Sequence, residues 1–512
     1  MKHCPSPACP YRRRHRRAQE YLDSAVTCSD CGTELAAGEA PEAESAADAA
    51  RPSASSWKRL AVTVAAAVGA LAAGRIGLPG LDTGRLLAHG HQPPQTFGLL
   101  SLGLMPFITT SIVVELACLI VPPWRLLRVG GLDGRARIWR AVLVLALLLS
   151  IAQALGISLT LQSLDLALHP GVAFHVLTIA TLVAGAFVLL ALAHAIDRFG
   201  LGNGFSVLIA AGIAHDLGGT VRSIATRVQS GLLGPVHVLI VGAAALVVVA
   251  ATVRASRLLG TGAATAPTST LRVPACGAIP VTEASGLFAL SATLANLGIP
   301  GFDKAATTFH AGAALNVLAS VALALALVTL LSYLFHRPSR VADLVARLRG
   351  PSCSIERERQ RARGLLRRAM IRSSLYVLAL IACEFVAGSA SSFGVALDAV
   401  GIAVLTAVAL DLLVEWRARG DTDDLAAIWP EHRVYAVDVA LEALEQAQIP
   451  VFVRGVHHRV LLQFFGPFVP MQLFVPRDKA AQAQALVREL IGPAQTRSPT
   501  SPAPAALGDG TS

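Results

Sequence analysis

The sequence predicts an α-helical polytopic membrane protein with a small α/β domain after its last span. Three observations carry that reading. Hydrophobic residues make up 54% of the 512 and charged residues 15%, with mean hydropathy +0.58, a balance typical of chains solvated by lipid. Ten apolar runs have or approach the length of a bilayer crossing, at 58–77, 97–121, 140–161, 172–196, 203–217, 235–253, 274–297, 312–336, 370–387 and 394–416. Arginine gives the third. Nine arginines (Arg125, Arg128, Arg135, Arg137, Arg140, Arg198, Arg254, Arg257 and Arg272) and eleven more between His336 and Arg372 fall on one side of those runs. The opposite side carries Arg75, Arg85, Arg222, Arg227 and Lys304. Basic loops mark the cytoplasmic face, so both termini are predicted to be cytoplasmic. The formal charge of +10 then reflects topology, and no specific nucleic-acid partner is predicted.

In chain order, residues 1–35 read as a zinc-ribbon-like segment. They contain Cys4-Pro5-Ser6-Pro7-Ala8-Cys9 and Cys28-Ser29-Asp30-Cys31-Gly32, and no apolar stretch of the kind removed on export. Two cysteine pairs about 18 residues apart can close a tetrahedral thiolate site, making Cys4, Cys9, Cys28 and Cys31 candidate ligands of a structural zinc ion. Free cytosolic thiols, or one redox pair, are the alternatives. Arg12, Arg13, Arg14, Arg16 and Arg17 between the pairs read as a solvated charged face. Residues 36–56 form an acidic, Ala/Ser-rich linker expected to be disordered.

Within the membrane region, 57–418, the run at 97–121 stands apart. It holds Pro106 in its interior, the hydroxyls of Thr109, Thr110 and Ser111, and Glu115. Such groups are costly against lipid, so this helix is expected to line a path through the membrane. Cys118, Cys276 and Cys383 lie in apolar runs and read as small packing residues.

After Arg419 the pattern changes. Strand-like runs at 433–437, 451–454 and 471–475 alternate with amphipathic helical runs at 438–447 and 478–490, which predicts a small cytoplasmic α/β domain over 424–492. His457 and His458 are expected at its surface without partners. Residues 493–512 are a Pro/Ser/Thr/Ala tail, expected to be disordered. No P-loop, HExxH motif or nucleophile elbow is present, and the Gly200-Leu201-Gly202-Asn203-Gly204 stretch joins two spans rather than a strand and a helix. The chain does not read as an enzyme.

Several stretches, in register with the spans, resemble the SecY family of protein-conducting channels. Arg75-Ile76-Gly77-Leu78-Pro79-Gly80-Leu81-Asp82 is similar to the family's RIG…PGID, and Leu102-Gly103-Leu104-Met105-Pro106-Phe107-Ile108 to its LGIMPYI. FGLGNGFS at 199–206 resembles RGIGNGIS, and LRVPACGAIPVTEAS at 271–285 resembles LKVNMAGVIPAIFAS. Asp411 falls where the family's tenth span ends in aspartate. The resemblance implies two five-helix halves in inverted repeat around an hourglass pore. It implies a pore ring of Leu104, Ile108, Ile209, Thr282, Leu287 and Val404, and a lateral gate with Thr109, Gln153 and Leu290. It further implies a channel subunit of the bacterial inner membrane that passes polypeptides or releases them sideways into the lipid bilayer, with a SecE-like subunit and SecA or the ribosome as partners.

Three departures qualify this. Only residues 83–95 connect the first two spans, the loop after the sixth span is short, and Glu283 stands where apolar residues are usual. They keep open a SecY-derived binding or signalling protein without transport. Residues 434–490 resemble a small cytoplasmic domain of bacterial signal-transducing proteins, which points to regulation or binding.

Overall fold

The structure, a computed structural model, describes residues 56–82, 84–85, 98–129, 131–259, 277–281, 313–350, 353–390, 397–421, 425–462 and 468–492. Near the N-terminus it describes 2–4, 20–21, 26–28, 31 and 33–37. There, β1 (Lys2–His3) lies between β2 (Glu20–Tyr21) and β3 (Ala36–Ala37) in an antiparallel sheet.

The membrane region is a bundle of α1 (Ser56–Ala73), α2 (Met105–Ile120), α3 (Pro122–Val129), α4 (Gly131–Ser163), α5 (Val172–Phe199), α6 (Gly204–Gln229), α7 (Pro235–Leu259), α8 (Ala313–Phe335), α9 (Pro338–Arg349), α10 (Ile355–Ala390) and α11 (Ala399–Asp421). Among the described residues, eight helices are long and apolar enough to cross a membrane. Ala146, Ala186, Ala193, Ala324 and Ala403 are fully buried where helices meet, because small side chains let two backbones approach closely. Leu148, Leu239 and Leu246 point outward and are exposed, as lipid-facing residues are. The predicted seventh span, 274–297, lies outside the described residues except for 277–281.

Helix α2 corrects one expectation. The sequence places Pro106 in the interior of a span, but the helix starts at Met105 and Pro106 sits in its first turn. Proline suits that position because the N–H it lacks would have no partner there. The 16 residues of α2 span about 24 Å, short of the ~30 Å hydrocarbon core. Residues 99–104 ahead of it form turns, tied by the Gly98 N–H to Ser101 Oγ at 2.6 Å. Irregular backbone at membrane depth is tolerated where protein covers it.

The basic stretch between the eighth and ninth predicted spans is also helical. Helix α10 runs 36 residues without a break, helped by the pairs Arg359–Glu356 (3.2 Å) and Arg361–Glu358 (2.7 Å) at i,i+3 spacing.

The C-terminal module runs β4 (Leu425–Glu431), α12 (Val434–Gln446), β5 (Phe452–Arg454), α13 (Val456–Leu461), β6 (Met471–Pro476) and α14 (Ala480–Ile491). The strands lie in the order β4-β6-β5, with β6 antiparallel to both neighbours, so β4, α12 and β5 form a split βαβ unit. The run 433–437, expected as a strand, begins α12 instead, and the strand lies upstream at β4. The reason is Glu431. Its Oε1 accepts from the backbone N–H groups of His432 (2.9 Å) and Arg433 (3.0 Å) and from Arg433 Nε (3.0 Å), a carboxylate placed where a helix N-terminus favours one. Pro430 is tolerated because β4 is an edge strand. Met471, Leu473 and Val475 are fully buried in the core formed with α12 and α14. The opposite face of β6 presents Phe474 to Arg454 and Arg419, whose guanidinium carbons lie 4.9 and 5.6 Å from the ring centroid. The sheet is therefore covered on both sides, by its own helices and by α11.

Candidate functional site at the junction of bundle and module

The centre of the bundle is one apolar cluster. Leu104 and Val404 are buried in it, and Ile108 and Ile209 pack against it. These are four of the six residues expected in the pore ring, and all four belong to or pack on this one extended cluster. Thr282 and Leu287, with the gate residue Leu290 and the departure Glu283, lie outside the described residues. Thr109 and Gln153 are half-buried on α2 and α4. Phe107, fully buried, meets Phe187 and Phe205 edge-on at centroid distances of 5.7 and 6.0 Å.

This cluster does not stop at the bundle. Leu461, Leu462, Phe468 and Val469 of the C-terminal module belong to it. Phe468 lies edge-on to Phe107 (5.7 Å) and Trp139 (5.1 Å) and tilted over Phe205 (4.2 Å).

Around that apolar contact runs a buried polar seam. Arg454, on β5, reaches Glu415 of α11 through Nη2 and, at 3.0 Å, through Nε. Glu415 also accepts from Arg419 Nε and from the Gly202 N–H, each at 2.8 Å. Gly202 can take part because its φ of +84° lies in the left-handed region that glycine adopts without penalty. The next residue, Asn203, caps α6 by accepting from the Ser206 N–H (3.0 Å), while its Nδ2 donates to the Phe468 carbonyl (3.0 Å). The glycine-rich turn expected as a plain connector is therefore a seat for the module.

The histidine expectation is overturned as well. His458 is fully buried, and His457 has only 9% of its side chain exposed. Asp411 Oδ1 accepts from the His457 N–H (3.0 Å) and pairs with its Nδ1 (2.7 Å), while Oδ2 accepts from the His458 N–H (2.9 Å). Ser206 Oγ lies between Asn203 Oδ1 and His458 Nδ1 and bonds to both. Burial pushes the His458 pKa down to about 4; Asp411 opposes the shift and Arg459 adds to it. Glu115, singled out in the sequence, meets Arg459 Nη2 at 3.5 Å, and that nitrogen also donates to the His432 carbonyl at 3.0 Å.

Sequence reasoning found Glu115 and Asp411 but not their partners. Arg454 lies 39 residues from Glu415 and Arg459 344 residues from Glu115, and no local pattern pairs them.

The N-terminal cysteines form a second, separate cluster. The Sγ atoms of Cys4, Cys28 and Cys31 all lie within 4.8 Å of one another, with Cys4 and Cys31 3.5 Å apart. Ligands on a tetrahedral zinc–thiolate centre stand about 3.8 Å apart for Zn–S bonds of about 2.3 Å, so the three sulfurs fit such an ion. The hydroxyl and then the backbone of Thr33 hold the Cys31 thiol below its ordinary pKa. Cys9, the fourth expected ligand, lies outside the described residues.

A family model described as SecY matches residues 98–413. The chain belongs to the SecY family. The SecY protein translocase subunit of Pseudomonas aeruginosa is 27% identical over 364 residues, covering 63% of this chain and 82% of that protein. The SecY of Buchnera aphidicola is 32% identical over 146 residues, 28% of this chain and 32% of that protein; the SecY of Escherichia coli K12 is 32% identical over 158 residues, 30% and 35%. These two matches span about a third of their relatives' length. A solved SecY structure described by its plug domain aligns with a TM-score of 0.49 and 14% identity over 73% of this chain and 96% of that one. SecY is a family of protein-translocase channel subunits, and the ten-helix expectation is the architecture of that family. The match ends at residue 413, before Glu415 and the C-terminal module.

Proposed function

We propose that this chain is the channel subunit of a protein translocase in a bacterial inner membrane, passing polypeptides or releasing them sideways into lipid. The observation that carries this is the SecY family match over 98–413, a stretch that contains Leu104, Ile108, Ile209 and Val404. In this reading those four residues, with Thr282 and Leu287, form a dry ring that excludes ions by dewetting yet yields to a passing chain. Thr109, Gln153 and Leu290 set how easily the side gate opens. Both termini face the cytoplasm, and a SecE-like subunit with SecA or a ribosome supplies clamp and drive. No covalent step is required. Zinc held by Cys4, Cys9, Cys28 and Cys31 would order the N-terminal segment.

A photoreactive amino acid at Ile209 tests this. In native membranes with a secretory polypeptide stalled in transit, it is expected to crosslink to that polypeptide. Labelling of lipid alone, with an active motor and clamp present, would sink the reading. A SecY-derived binding protein without transport draws on one observation, the buried junction between bundle and module. It predicts lipid-only labelling together with loss of function on disruption of the module.

A further inference from the structure

The two halves of the bundle are both held by the C-terminal module. From the first half, Phe107 on α2, Trp139 on α4 and Phe205 on α6 surround Phe468, and Glu115 meets Arg459. From the second half, Asp411 and Glu415 on α11 hold α13 and Arg454. Residues 277–281 join them: the Ala278 N–H donates to the Leu461 carbonyl at 3.1 Å. A Cβ on Gly277 would stand 2.2 Å from that same carbonyl oxygen, so the fit of module to bundle leaves no room for a side chain there.

We propose that the C-terminal module is a built-in stopper, seated between the two halves of the channel and released before a polypeptide passes. The passage step rests on the translocase reading above. The apolar part of the seat is continuous with the cluster that contains Leu104 and Val404, so a polypeptide reaching those residues from this end meets folded protein. The polar part makes the seating specific. Arg454 and Arg459 retain 6% and 1% exposure, and Glu415 and Glu115 retain 0% and 3%. Charges so deeply buried are tolerated only when paired; Glu415 keeps Arg419 on its own helix, but Arg454 and Arg459 lose their carboxylates on the bundle and need renewed access to water. The junction therefore favours two states, fully seated or fully released.

The test uses the full chain reconstituted in liposomes, alone for the leak measurement and with its clamp subunit and motor for polypeptide passage. Phe468→Ala with Arg454→Glu loosens the seat by removing the ring and reversing one charge. Asp411→Cys with His457→Cys places one thiol on each side of a contact in which Asp411 also accepts from the His457 N–H at 3.0 Å, so that oxidation locks the module in place with Phe468 intact. The loosened chain is expected to leak iodide about tenfold faster than the parent or more, since a buried pair loses its partner. The oxidised lock, its bond located by peptide mapping, is expected to stop passage of a secretory polypeptide, and reductant to restore it. A loosened chain as tight as the parent, or a locked chain that passes polypeptide at the reduced chain's rate, overturns the proposal. If leak rises as expected but no form passes polypeptide, the stopper stands and the translocase reading falls.

Discussion

His458 is buried between Asp411 and Arg459, with its ring against Ser206, and this ties seating of the module to pH. Its pKa is pushed down to about 4 from an ordinary 6.5, chiefly by burial. The seated state thus binds fewer protons than the released state between those values, and seating strengthens as pH rises. The contribution is complete above pH 6.5 and is lost as pH falls through the window from 6.5 to 4. Each pH unit inside that window weakens seating about tenfold. Amide hydrogen exchange across α13, corrected for the intrinsic pH dependence of exchange, is therefore expected to speed up about tenfold from pH 7.5 to 5.5. Protection that does not change over this range removes His458 as the controlling group.

At the scale of elements, the spans were legible because a bilayer imposes a length and an apolar composition on any crossing helix, whatever its neighbours. Pro106 was misjudged because sequence marks a proline without showing where the helix begins. The start of helix α12 reads as a strand because Val434, Tyr435 and Val437 look strand-like until Glu431 is seen to hold the chain at His432 and Arg433 just ahead of them. Of the polar seam only Glu115 and Asp411 stood out in the sequence, not the pairings: Arg454 lies 39 residues from Glu415, and their meeting depends on how β5 settles against α11. The cysteine pairs were legible because metal ligation demands short fixed spacings. The element they would organise makes its own prediction. The full chain is expected to carry one zinc ion that is lost on Cys28→Ser with Cys31→Ser, measured by elemental analysis of purified protein. A metal-free parent of normal solubility ends the zinc assignment.

For the whole molecule, the boundary between bundle and module is not where hydropathy places it. Val341, Leu344 and Val345 on α9 and Ala362 on α10 are buried in the same core as β4, α12, β6 and α14. Three aliphatic side chains buried this way contribute roughly 5 kcal/mol, as much as the entire stability of many small domains. The 69 residues of 424–492 are also few enough that their own core is marginal. Expressed alone, 424–492 is expected to melt without a sharp transition by near-ultraviolet circular dichroism. Fusion of residues 338–363 through a flexible linker is expected to restore cooperative unfolding, because it returns the missing apolar face. If the isolated segment melts sharply at the temperature of the fusion, α9 is a neighbour rather than a part of the module. If only the fusion melts sharply, α9 stays with the module when the seat opens. Because α9 is joined to α8 and packs on α10, release would then pull on the second half of the channel as well as clear the mouth.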